Sequence, residues 1–263
     1  LTAQGKAYKK IAMSKAQPKT KAEELLGKIL ALSLEERKNE LTLKRLTKAA
    51  QALASVDPAD SYVCQGTISF YDNKPDDARQ YFAKAIKLSH RDSIPVYNFA
   101  IMLADMGFYN EHLQYADTAY KLNKTDPVFL VAALRANIVN GKFDTARELL
   151  LSASKLRLNS DRITMLNNIL QFIQGNSISP SDFVKLQDTA YDLLHSQKIF
   201  IMKPTLEILE DEDSIFLSYE ILLDKPVMEI VDLSVMLAEA LAREPSLNDI
   251  SGKINISFSP WCD

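Results

Sequence analysis

Three turn signals spaced 34 residues apart constrain this chain more than any other feature. Asn73-Lys74-Pro75-Asp76-Asp77-Ala78, Gly107-Phe108-Tyr109-Asn110-Glu111-His112 and Gly141-Lys142-Phe143-Asp144-Thr145-Ala146 recur at that interval with no insertion. Behind each, at fixed offsets, stand Phe82, Ala116 and Leu150, then Ala85, Ala119 and Ala153, then Leu88, Leu122 and Leu156. A unit of this length cannot bury its apolar face alone and must stack on its neighbours. Glycine supports a helical reading. There are 7 in 263 residues, against a usual share of roughly 7%, so few turns call on glycine for a positive φ, and a sandwich or doubly wound sheet is disfavoured.

Over residues 59–160 the pattern resembles the tetratricopeptide repeat family, whose helix-turn-helix units carry small residues where two helices approach and large ones between units. Tyr62, Gly66, Ala78, Phe82 and Ala85 occupy the expected places in the first unit, and Phe99, Ala100, Leu103, Gly107, Tyr109 and Ala119 in the second. Gly141, Phe143, Ala146 and Ala153 do so in the third, while His112 and Leu134 stand where the family has small residues. Upstream, an apolar stripe from Leu34 to Val56 reads as the second helix of a degenerate unit, with a short first helix over residues 22–31. Downstream, residues 161–174 and a capped helix from Ser179 read as a terminal pair.

The resemblance implies an α-solenoid whose first helices line a concave groove. By the family's positional pattern that groove presents Val63, Thr67, Phe70, Tyr71, Tyr97, Asn98, Ile101, Val131, Arg135 and Ile138. Of the clamp that relatives use for acidic chaperone tails only Asn98 is present, so a chaperone-tail co-adaptor is not expected. An apolar, tyrosine-bearing lining suits a hydrophobic helix or extended peptide, with Tyr71, Tyr97 and Arg135 as the anchors. The alternative is that the chain's own flanking helices cover Phe70, Tyr97, Ile101 and Ile138.

Beyond residue 197 the apolar period falls from helical to two. Ile199 to Met202, Thr205 to Glu210 and Ser214 to Leu222 read as strands, the last two a hairpin. Pro226 to Ala242 reads as a helix with Ile230, Leu233, Met236, Leu237 and Leu241 on one face, and Ile254, Ile256 and Phe258 as the inward side of a final strand. The expected organisation is a mobile basic arm (1–19), a helical repeat domain (20–196) and an acidic ββαβ module (197–263).

Charge follows the same division. The formal net charge is -3, yet residues 1–55 carry a net +7 and residues 205–263 a net -10. Such segregation bears on partners and association. It suits a basic partner at the C-terminal module, as in an antitoxin- or immunity-type neutraliser, or a homodimer, head-to-tail or swapped, in which that module docks on the basic first 55 residues of a neighbouring subunit.

Catalytic signals are weak. Phosphate-cradling glycine loops are missing from the sequence, and His90, His112 and His195 lack metal-ligand spacing. Cys64 reads as a small core residue, and the acids from Glu210 to Asp213 as a solvated hairpin tip. No cofactor or metal is expected, and an enzyme with an unrecognised site is the third reading. The lysines of the arm, without interleaved aromatics, disfavour specific nucleic-acid binding. Apolar runs are too short for a membrane span, and with two distant cysteines and no signal-peptide stretch a cytoplasmic protein is expected. The leading expectation is a non-catalytic scaffold or adaptor that binds a protein or peptide segment in the concave groove; the alternative is a chaperone-like protein that shields an apolar partner segment, or the neutraliser acting through the acidic module.

Overall fold

The computed structural model describes residues 20–90, 92–158, 160–211, 214–250 and 252–261. The basic arm expected over residues 1–19, the hairpin tip at residues 212 and 213, and Cys262 lie outside them. The described chain is mostly α, its helices packed in consecutive pairs, with a small three-stranded sheet near the C-terminus. Two compact units divide between Met102 and Leu103, inside a helix running from Ser93 to Asp105.

The first unit holds α1 (Lys21–Leu30), α2 (Leu34–Lys38), α3 (Glu40–Leu53), α4 (Pro58–Tyr71), α5 (Pro75–Leu88) and the start of α6 (Ser93–Asp105). The stripe expected as one helix from Leu34 is broken at Asn39. Two caps compete there: the Ser33 side chain accepts from the Glu36 amide to start α2, and the Asn39 side chain accepts from the Thr42 amide to start α3. Each satisfies an orphan helix donor, and their spacing leaves α2 barely a turn long. α4 and α5 pack as a hairpin. Gly66 lets them close, because a Cβ there would stand 2.8 Å from the Phe82 ring, and Phe82 in turn stacks on Phe99 with ring centroids 5.1 Å apart.

The three repeat turns share one geometry. Asn73, Gly107 and Gly141 have φ of 56°, 75° and 66°. The amides that follow reach back to a helical carbonyl: Lys74 to Ser69 at 2.9 Å, Phe108 to Leu103 at 2.8 Å and Lys142 to Asn137 at 2.8 Å. This is the left-handed helix stop that satisfies otherwise orphaned carbonyls. Arg157, Ser177 and Lys198 use the same stop, so glycine is not needed for it. Gly107 and Gly141 answer a second demand, since a Cβ would meet Tyr191 at 2.5 Å in one case and the Pro180 carbonyl at 3.0 Å in the other.

The second unit begins within α6 and contains α7 (Tyr109–Leu122), α8 (Pro127–Val139), α9 (Phe143–Lys155), α10 (Asp161–Gly175) and α11 (Pro180–Ser196). It continues through β1 (Met202–Asp211), β2 (Ser214–Leu223), α12 (Val227–Ala242) and β3 (Ile254–Pro260). The ββαβ order is as expected, without an extra strand at Ile199: β1 starts at Met202 and runs through Pro204. β1 and β2 pair antiparallel, and β2 pairs parallel with β3 through the α12 crossover. β1 is therefore an edge strand, where a residue without an N–H is tolerated.

The sheet has one buried face. Leu217, Tyr219, Ile221 and Leu223 of β2 point inward with Ile254, Ile256 and Phe258 of β3. They join Leu130, Leu134 and Ile138 of α8, Leu166 and Ile169 of α10, and Phe183, Leu186 and Leu194 of α11 in one continuous core. The boundary expected between residues 196 and 197 falls within a core that helices and strands of the second unit share.

Candidate functional site

In the first unit the expected groove positions are filled. Val63, Thr67, Phe70 and Tyr71 on α4 and Tyr97 on α6 are all buried, and only Asn98 and Ile101 keep partial exposure. α1 and α3 pack on α4, and the Arg37 guanidinium lies 4.3 Å from the centre of the Tyr71 ring. The Thr67 hydroxyl is spent on the Val63 carbonyl at 2.9 Å. A side chain enclosed by its own chain offers no surface to a partner, so the role expected of Tyr71 and Tyr97 as anchors does not fit this packing.

In the second unit Ile138 is wholly buried, while Val131 and Arg135 are half-buried. Arg135 donates from its guanidinium to the Pro204 carbonyl at 2.8 Å. The α8 residue thus fixes the start of β1 rather than facing a peptide. Beside it three tyrosines from separate elements meet. The Tyr109 hydroxyl bonds to that of Tyr191; Tyr191 and Tyr219 hydroxyls stand 2.9 Å apart, and Tyr219 donates to Tyr109 at 3.0 Å. Burial holds all three phenols above their ordinary range, most strongly those of Tyr109 and Tyr191. A ring of protonated hydroxyls satisfies itself inside an apolar core. It ties α7, α11 and β2 together. The sequence marked Tyr109 only as a turn aromatic, and no local spacing could have joined it to Tyr191 and Tyr219.

His195 continues the lock. Its Nε2 is 2.8 Å from the Met106 carbonyl, and its ring stacks at 4.8 Å on Phe108 and 5.2 Å on Phe200. His112, expected as a packing residue, is 2% exposed and sits edge-on to Tyr109.

The surface feature that stands out is α12. Ile230, Leu233 and Leu237 face the core, but the opposite side of the same helix is also apolar. Val227 is 62% exposed, Met228 72%, Val231 48% and Val235 55%. Val227, Val231 and Val235 follow i, i+4, i+8 spacing and Met228 stands three before Val231, which places all four on one side. Met236, expected on the buried face, is 40% exposed. The signal was present in the sequence: a helix apolar on two faces is either enclosed or awaiting cover. Ion pairs Lys225–Glu229 (3.1 Å) and Glu239–Arg243 (3.6 Å) brace its two ends, and Asp232 is exposed along its flank.

Cys64 is 1% exposed and burial, aided by Asp60 and Asp57, pushes its thiol up to about 12, so little thiolate forms near neutrality. Among the described residues no three of His, Cys, Asp and Glu gather to hold a metal, and no described helix is long and apolar enough to cross a membrane. Among the described residues, open clefts of about 410 Å³ lie beside Gly141 and Pro180 and of about 450 Å³ between α10 and β1.

Asp60 yields a stability prediction. Desolvation, then the Asp57 carboxylate, pushes it up to about 6 from an ordinary 3.8. The folded chain keeps this proton where the unfolded chain has lost it, so stability falls as pH rises through that window and stays lower above it. Asp60→Asn is expected to raise the melting temperature by about 2–5 °C near pH 7.5 and to leave it almost unchanged near pH 3.5. Thermal melts at the two pH values check this.

Compared with protein-family models, curated proteins and solved structures, the chain has no significant match.

Proposed function

We propose that this is a non-catalytic binding protein that holds a partner protein against the outward face of α12. The observation that carries this reading is the exposed stripe Val227, Met228, Val231 and Val235, on a helix whose other face is anchored in the core. From Val227 to Val235 the stripe runs about 12 Å at the helical rise. That length suits a helix laid across α12 over two to three turns, with apolar side chains against the valines. The net -10 of residues 205–263 favours a partner whose polar flank is basic. The tetratricopeptide reading of residues 59–160 belongs to the same proposal and is supported by the turn geometry repeated at Asn73, Gly107 and Gly141. A cytoplasmic site of action also belongs to it, supported by the free, buried Cys64.

The test is affinity purification of the full chain beside the double variant Val231→Glu, Val235→Glu. Both sites are solvent-facing, so the melting temperature should shift by little. A protein recovered in constant proportion with the parent chain and lost with the variant is the expected result. An identical set of recovered proteins with both, or none with either, overturns the reading.

A further inference from the structure

β1 leaves a row of backbone groups unpaired. The Leu217 amide donates to the Lys253 carbonyl just before β3, and the Leu223 carbonyl accepts from the Trp261 amide just after it, so the odd-numbered residues of β2 turn toward β3 and its even-numbered residues turn toward β1. In the antiparallel register Asp211 opposes Ser214, Leu209 opposes Phe216 and Glu207 opposes Ser218. The β1 residues that hydrogen-bond inward are therefore odd-numbered, and the even-numbered ones point their N–H and C=O groups away from the sheet. Two observations agree. Pro204, with no N–H to offer the ladder, is even-numbered, and its carbonyl accepts instead from Arg135. Thr205, odd-numbered, directs its hydroxyl to the Glu220 carbonyl across the ladder.

Past Pro204 the outward groups belong to Leu206, Ile208 and Glu210, and none has a backbone or side-chain partner among the described residues. Alongside them runs the open cleft of about 450 Å³ between β1 and α10, lined by Asp161, Thr164, Met165, Asn168, Glu207 and Ile208. An edge of this kind is a template for another strand.

We infer that this edge receives an extended, lysine- or arginine-rich segment of a partner protein as a fourth strand beside β1. The charges choose the occupant. Asp161 at the cleft and the exposed Glu207, Glu210 and Asp211 along the strand attract alternating cations. The same acids oppose pairing of this edge with the same edge of a second copy, because like charges directly across two strands repel. Backbone bonds from Leu206, Ile208 and Glu210 supply register, and the cleft takes the side chains that point toward Met165. The inference goes beyond the α12 proposal, since it uses a different element and stands or falls separately.

Ile208→Pro removes the central outward N–H and leaves the β1–β2 ladder intact, as Pro204 already does two positions of the same parity earlier. The probe is a fluorescent Lys-Val-Lys-Val-Lys-Val-Lys peptide added to the full chain, read by anisotropy at low salt. The expected result is saturable binding that is weakened about tenfold or more by Ile208→Pro. N-methylation of alternate peptide amides, which leaves the charge unchanged, should weaken it equally, and Val231→Glu with Val235→Glu should leave it unchanged. Should Ile208→Pro fail to fold, the methylated peptide still decides the matter. Failure of the parent peptide to bind, or equal binding of the methylated peptide, overturns the inference, the second outcome meaning that charge alone drew the peptide.

Discussion

Gly107→Ala is expected to destabilise the second unit by about 3 kcal/mol, from two separable causes. Gly107 has φ of 75°, and a Cβ in that left-handed region costs about 1–2 kcal/mol. The new methyl would also stand 2.5 Å from Cδ1 of Tyr191 and 3.1 Å from Nε2 of His195. Neither can yield easily, since Tyr191 is 3% exposed and held by two hydroxyls, and His195 is held by the Met106 carbonyl. Overpacking of this sort adds about 1–3 kcal/mol. Denaturant unfolding should show the midpoint falling. Asn73, the equivalent position of the preceding turn, shows that the φ alone is survivable, so any excess over about 2 kcal/mol reports the contact with Tyr191.

Tyr191→Ala carries the second large effect, a loss of about 4 kcal/mol. The ring packs edge-on to Tyr109 at 4.7 Å and to Tyr219 at 6.4 Å between centroids, and its removal opens a cavity in a core that can relax only partly. It also strips the hydroxyls of Tyr109 and Tyr219 of their common partner, leaving each with only the other. Tyr191→Phe keeps the ring and removes the oxygen, and should cost about 1–2 kcal/mol. The combination of Gly107→Ala with Tyr191→Ala is informative. With the ring gone the new methyl has space, so the double variant should be more stable than the sum of the two losses by about 1–2 kcal/mol. Strict additivity would mean that the ring does not confine Gly107.

Much of the scaffold was readable because its signals are local. A left-handed stop needs only a few residues, and three at constant spacing announced the repeat at 73, 107 and 141. The alternation of Ile254, Ile256 and Phe258 disclosed the inward side of β3 for the same reason. What covers an apolar face is not a local property. The positions from Val63 to Tyr71 showed an apolar first helix, but whether a partner or α1 and α3 lay over it was not written in their spacing. The tyrosine lock was hidden likewise, its members being 82 and 28 residues apart. α12 is the opposite case. Its second apolar stripe, Val227, Met228, Val231 and Val235, stands in the sequence beside the face of Ile230, Leu233 and Leu237, and periodicity alone reports the stripe without saying which side the core takes.

The break at Asn39 has a related lesson. Periodicity from Leu34 onward was continuous, yet the caps at Ser33 and Asn39 split the run. Side-chain to backbone bonds at two polar residues outweighed a smooth apolar pattern, since each cap is worth about 1 kcal/mol.

The central claim, that α12 is the partner-binding surface, is tested most directly by hydrogen–deuterium exchange of the full chain alone and with the protein it retains. Slowed exchange is expected over peptides spanning Val227 to Ala242, with residues 58–71 of α4 unchanged because Val63, Phe70 and Tyr71 are already buried. Protection confined to α4, α6 and α8, with none over α12, would contradict it and return the binding role to the interior face of the repeats.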